Sequence, residues 1–135
     1  HVIEAAREGP VQPAVAAGRC ELIAGNFFEH VPAGGDLYLL KRVLHDWDDD
    51  ASVRLLQRVV ERAPRRVVVV EGLPSHPPVD DVPNRTDLLM LALTPGGRER
   101  SVAEVDELAR RAGLRRERTV PLASADVAHV LVPSA

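Results

Sequence analysis

Aromatic side chains make up only 3% of these 135 residues, so aliphatic side chains must fill any core. The single cysteine, Cys20, excludes an internal disulfide and fits a reducing compartment, which points to the cytoplasm. Lysine is almost missing: Lys41 is the only one, and the other basic residues are arginines. No apolar run approaches the roughly 20 residues that a membrane-spanning helix needs. A formal net charge of -3 gives no general attraction to nucleic acid or to an anionic membrane. There is no internal repeat, low-complexity tract, signal peptide or initiating methionine. His1 falls where a helix should already be under way, so the chain reads as the carboxyl-terminal part of something longer.

What is present is one domain's worth of chain, 45% hydrophobic, organised around residues 36–50. The apolar run at 36–43 predicts a central strand buried on both faces. His45 and Asp46 follow it, at the sheet edge where ligands bind in open α/β folds. Asp48, Asp49 and Asp50 then open a helix over 49–63, with Val53, Leu56, Val59 and Val60 as its buried stripe. Four consecutive valines mark a second buried strand at 65–71, ending in Glu71. Upstream, a short helix over 1–9, a helical turn at 13–17 and a strand at 19–24 are expected, the strand closed by the turn Gly25-Asn26. Downstream, a proline-rich loop runs from 72 to 83. A helix over 84–93, capped by Asn84 or Thr86, follows with Leu88, Leu89, Leu91 and Ala92 inside. Ser101 and Glu104 form a capping box for a helix over 102–112 that stops at Gly113. Strands at 114–121 and 127–133 close the chain as a hairpin. Strands alternating with helices imply an α/β fold with a mostly parallel sheet and an antiparallel hairpin at one edge.

Several residues could carry chemistry, each with a plainer reading beside it. If the strands ending near His45 and Glu71 are parallel neighbours, those ends lie roughly 5 Å apart. A carboxylate on one ring nitrogen would then fix the tautomer and leave the other nitrogen free as a base. The plainer reading is that His45 merely fills the turn before a capped helix. A divalent cation on His45, Asp46, Asp48 and Glu71 is a rival, but the spacing fits no metal motif. Asn26 could hold a ligand or simply make its turn. Phe27 could wall a flat ring or join the core, Lys41 must pair or snorkel out of its strand, Met90 reads as packing and Glu99 as a loop residue.

Five stretches in order carry a resemblance: Gly25-Asn26-Phe27-Phe28, the run from Leu39 to Trp47 around Leu44-His45-Asp46-Trp47, the glutamate after Val68-Val69-Val70, Asp87-Leu88-Leu89-Met90, and Gly96-Gly97-Arg98-Glu99-Arg100-Ser101. Together they resemble the S-adenosylmethionine-dependent O-methyltransferases of the plant caffeate/hydroxyindole type, in particular bacterial members acting on aromatic natural products. The resemblance implies that His45 is the general base and that Glu71 and Glu99 flank and orient it. It implies that Asn26, Phe27 and Lys41 contact the cofactor, S-adenosylmethionine, and that Asp46 and Met90 lie on the acceptor side. It further implies direct methyl transfer to a hydroxyl of an aromatic or polyketide-like small molecule without a metal, and a homodimeric parent.

The family usually has aspartate where this chain has Asn26, so the adenine contacts should survive only in part. The family's sheet order, 3-2-1-4-5-7-6, would make this chain a partial Rossmann-like class I methyltransferase sheet with its first two strands missing. Residues 1–135 would be the carboxyl-terminal portion of the catalytic domain, with the glycine-rich cofactor loop and the amino-terminal dimerisation domain absent. The strand at 19–24 would then pair directly with the central strand, stay poorly ordered, or wait for another chain, and cofactor binding by this chain alone should be weak or nil. The alternative is a truncated, non-catalytic remnant that folds or associates with a partner and transfers nothing.

Overall fold

A computed structural model describes residues 2–134. Its elements are α1 (Val2–Glu8), α2 (Gln12–Ala16), β1 (Leu37–Lys41), a 3₁₀ turn (Leu44–Asp46), α3 (Asp49–Val60), β2 (Arg66–Gly72), α4 (Val82–Leu93), α5 (Val102–Arg111), β3 (Leu114–Pro121) and β4 (Asp126–Pro133). Each expected helix is found, as are four of the five expected strands. His1, assigned to the first helix, lies outside the described residues.

One sheet holds the four strands in the order β1-β2-β4-β3. β1 pairs with β2 in parallel, Tyr38 opposite Val67 and Lys41 opposite Val70. β4 then inserts antiparallel between β2 and β3. The sheet is therefore mixed, not mostly parallel: two of its three pairings are antiparallel, because β4 is the inner strand of the terminal hairpin.

On one face, Val67, Val69 and Leu131 meet Leu55, Leu56 and Val59 of α3 and Leu108 and Ala109 of α5. Leu55 and Leu56 are fully buried, each stabilising the fold by roughly 2–3 kcal/mol. The helix ends follow the local chemistry. Asp48 Oδ1 accepts from the Ala51 amide at 2.7 Å and caps α3. The Ser101–Glu104 capping box forms in both directions at the start of α5. The cap of α4 is Asp81, whose carboxylate accepts from the Asn84 amide, so neither Asn84 nor Thr86 serves as expected.

Three expectations fail where the described residues supply no covering element. Residues 19–24 form no strand and join no ladder; a backbone without a partner strand gains nothing from extension. Direct pairing of that segment with β1 is thereby excluded. β1 is not buried on both faces: it is an edge strand, with Tyr38 and Leu40 turned to the core and Leu37, Leu39 and Lys41 exposed, Leu39 by 59%. Lys41 consequently avoids any desolvation cost. In α4 only Pro83 and Met90 are buried, while Leu88, Leu89 and Ala92 are exposed and Leu91 is 77% exposed. Among the described residues no helix is long and apolar enough to cross a membrane.

Candidate active site

The site forms where β1 and β2 end side by side. Arg42 leaves β1 with φ +55°, a left-handed conformation uncommon outside glycine, while its amide still donates to the Val70 carbonyl at 2.9 Å. That turn sets residues 44–46 over the end of β2. Glu71 Oε1 receives the amides of Val43 (3.1 Å) and Leu44 (2.8 Å). Arg100, 3% exposed, pins the same turn from the other side. Its guanidinium donates to the Leu44 carbonyl at 2.8 Å, the Trp47 carbonyl at 2.7 Å and Asp49 Oδ1 at 2.9 Å. Ser52, fully buried on α3, donates its hydroxyl to the Leu44 carbonyl at 3.3 Å.

His45 is thus held by its neighbours' backbone and is itself buried. Its Nδ1 lies 3.3 Å from Glu99 Oε1 and 3.4 Å from Glu71 Oε2, and its Nε2 lies 3.3 Å from Asp46 Oδ1. Glu71 and Glu99 are buried, whereas Asp46 is half exposed. The hydrogen bond with Glu99 holds the imidazole's proton above the ordinary histidine range, against burial, with the charges of Glu71, Glu99 and Asp46 adding to it. Burial raises the Glu71 carboxyl, while His45 and the two amides it accepts pull it back.

His45, Glu71 and Glu99 each offer a donor atom within 4.8 Å of the others. One oxygen of each carboxylate is already engaged, Glu71 with two amides and Glu99 with Arg42. Asp48, counted in the rival metal set, is the α3 cap. This is the environment of a hydrogen-bonded imidazole, able to accept a proton once it has lost its own.

The remaining sequence-predicted residues divide. Asn26 is a turn residue here: Oδ1 accepts from the Phe28 amide at 3.0 Å and Nδ2 donates to Glu29 at 2.9 Å. Phe27 is exposed and stands edge-on to Trp47, with ring centroids 6.0 Å apart, while Phe28 meets Trp47 at 4.7 Å. An aromatic wall therefore flanks the residue two after His45. Lys41 projects from the exposed face of β1. Met90 is buried, and its carbonyl accepts the Thr94 hydroxyl at 2.9 Å, whose oxygen in turn receives the Gly97 amide at 2.8 Å.

Sequence reasoning missed Arg42, Asp87, Gly97, Arg100 and Asp126. Arg42 donates to Glu99 Oε1 at 2.8 Å and also pairs with Asp126. Asp87 of α4 accepts the Glu99 amide at 2.8 Å. Strand alternation gave no signal for Arg42, which lies past the last residue of β1 in a left-handed conformation.

Comparison with known proteins puts this geometry in context. A family profile described as O-methyltransferase domain matches residues 1–115. Mitomycin biosynthesis 6-O-methyltransferase of Streptomyces lavendulae is 43% identical over 117 residues, which are 82% of this chain and 32% of that protein. The structure of a mitomycin 7-O-methyltransferase superposes with TM-score 0.82 at 41% identity, covering 99% of this chain and 39% of the other. An O-methyltransferase from neocarzinostatin biosynthesis, solved with S-adenosylmethionine and 2-hydroxy-5-methyl naphthoic acid, matches with TM-score 0.80 at 35% identity over 96% of this chain and 37% of its own. The chain thus spans about a third of the length of the relatives it matches.

Proposed function

The chain belongs to the O-methyltransferase domain family, and on that premise we propose that it carries the catalytic base of an S-adenosylmethionine-dependent O-methyltransferase acting on a hydroxyl of an aromatic or polyketide-like small molecule. The observation that carries this reading is the imidazole of His45, held at Nδ1 by two buried carboxylates with Nε2 on the half-exposed side toward Asp46.

In this reading Glu99 keeps the Nδ1 proton in place and Glu71 fixes the turn that carries the ring. Nε2 first releases its proton to solvent, and the free nitrogen then takes the proton of the acceptor hydroxyl. S-adenosylmethionine, held on this chain's side by Phe27 and Lys41, would supply the electrophilic methyl and would leave as S-adenosylhomocysteine. No metal is called on. Asp46 and Met90 bound the acceptor side.

The fit of the residues expected to hold the cofactor is partial. Phe27 offers an exposed flat wall beside Trp47, and Lys41 offers an exposed side chain on the outer face of β1. Asn26 has both side-chain groups engaged in its own turn, so its amide must leave Glu29 before it can reach an adenine. These residues supply one side of a site. The glycine-rich loop and ribose-binding acid of the family would come from sequence upstream of residue 1, as would the segments covering the outer face of β1 and α4. A homodimeric parent belongs to the same reading.

Calorimetric titration with S-adenosylhomocysteine tests it, using the 135-residue chain beside a chain extended upstream. Binding by the extended chain alone, with methyl transfer to a phenolic acceptor lost in H45A, is the expected result. Tight binding by the short chain would sink the argument for a divided cofactor site. Binding by neither would favour a remnant that folds and associates without transferring anything.

A further inference from the structure

The carboxylates gathered at His45 outnumber the cations that could balance them. Glu71 faces the ring from β2, Glu99 from the segment ahead of α5, and Asp46 from the turn itself. Asp126 is buried close by at the first residue of β4, and Asp87 of α4 holds the Glu99 amide. Among the described residues two cations enter this group. Arg100 is spent on the carbonyls of Leu44 and Trp47 and on Asp49. Arg42 reaches the carboxylates themselves: Nη1 donates to Glu99 Oε1 at 2.8 Å, the same oxygen that lies 3.3 Å from His45 Nδ1, and Nη2 pairs with Asp126.

The backbone of Arg42 is an outlier too. Its φ of +55° is a conformation that a long side chain adopts only when its surroundings impose it. Here the outlier turns the chain from β1 toward His45 while its guanidinium lies between Glu99 and Asp126. A planar fork suits two carboxylates at once, and a lysine would not.

We propose that Arg42 is a positioning residue for the methyl-transfer reaction: its guanidinium holds Glu99 against His45 and balances the buried carboxylates around the imidazole. The inference rests on His45 being the base. Without Arg42, Glu71 and Glu99 would share His45 as their only close cation. The imidazole would hold its proton to higher pH, and fewer molecules would have a free base at neutrality.

The test follows the His45 Cε1 proton by NMR through pH in the 135-residue chain as wild type, R42M and R42K, the resonance assigned with H45Q. Methyl-transfer rate against pH is measured in the extended chain with the same variants. R42M is expected to move the His45 midpoint up by about one unit, as loss of one adjacent charge does. The acid limb of the rate should move with it, lowering kcat about tenfold near pH 7 with KM for the acceptor little changed. R42K, which keeps the charge but not the fork, should return only part of the midpoint. An unchanged or lowered midpoint in R42M overturns the proposal. If R42M does not fold, D126N decides with the opposite sign: it leaves Arg42 less neutralised, so the midpoint should fall, and a rise or no change overturns the proposal. The NMR midpoint does not depend on turnover. H45A retaining full activity would therefore sink the base assignment, whereas an unmoved midpoint would sink the role of Arg42 alone.

Discussion

Gly97 lies against the carbonyl of His45 so closely that there is no room for a side chain between them. A Cβ at Gly97 would run into the His45 carbonyl oxygen and Thr94 Oγ1, and would stand 2.8 Å from the carbonyl carbon of Asp46. The obstacle is backbone, which cannot swing aside as a flexible side chain can. G97A should destabilise the chain by about 1–3 kcal/mol, the range for overpacked interiors. It should also shift the His45 resonance. G25A is the control, because a Cβ there meets nothing within 4 Å. Thermal melts of the two variants check this: equal melting temperatures would mean that the segment at 96–100 yields freely.

The raised proton affinity of His45 fixes the sign of a pH effect. A base must be deprotonated to act, so activity in the extended chain should climb with pH. The midpoint should lie above the ordinary histidine value of about 6.5. Removing Glu99's negative charge with E99Q should move that midpoint down, since its hydrogen bond is the leading cause of the shift. The same affinity acts on stability. The folded state binds this proton more tightly than the unfolded chain, so the contribution is full below about pH 6.5 and is lost as pH rises through the folded value. H45Q should remove that decline. A rate profile whose acid limb falls below pH 6 would contradict the hydrogen bond to Glu99.

How much of this was legible in the sequence depends on what each side chain answers to. The caps at Asp48 and Ser101 were legible because capping is local, a side chain meeting an amide three residues on. His45 and Glu71 were legible on the condition that the two apolar runs are parallel neighbours, and the register of β1 and β2 meets that condition. Arg42 and Arg100 were not, because their partners lie 57 to 84 and 51 to 56 residues away respectively, apart from Arg100's contact with Arg98. No periodicity encodes a distant carboxylate. The leucines of α4 misled for a different reason: apolar residues at helical spacing show that a face is to be covered, not what covers it. Glu99 drew its role from the family resemblance alone, and the structure sets it within reach of His45.

That distinction between local pattern and actual burial has a measurable consequence in the two leucine-rich helices. Leu56 of α3 is fully buried, and Leu91 of α4 is 77% exposed. L56A should cost about 2–5 kcal/mol, the range for truncating a core leucine. L91A in the 135-residue chain should change stability by no more than about 0.5 kcal/mol, as surface substitutions do. Urea unfolding of each variant measures both. If L91A proved as costly as L56A, the exposed face of α4 would already be covered, by a second copy or by the chain itself.

His129 offers the sharpest stability test, because it is a fully buried imidazole with neither ring nitrogen hydrogen-bonded among the described residues. It sits on β4 opposite Val69 and Thr119. Burial lowers its proton affinity, Arg116 lowers it further, and Asp106 opposes them. Arg116 and Asp106 are already committed to each other through two hydrogen bonds of 2.7 and 2.8 Å. The folded state therefore keeps His129 neutral where the unfolded chain would protonate it. Its share of stability is complete above about pH 6.5 and is lost as pH falls from there toward the lower folded value. H129L keeps the volume, removes two unsatisfied polar atoms and abolishes that loss. It should be more stable than wild type by about 1–3 kcal/mol at pH 7.5, and by a larger margin at pH 5.5. Urea unfolding at the two pH values gives the comparison. A margin that did not widen on acidification would mean that His129 is protonated in the folded chain, and that Asp106 outweighs burial and Arg116 at that position.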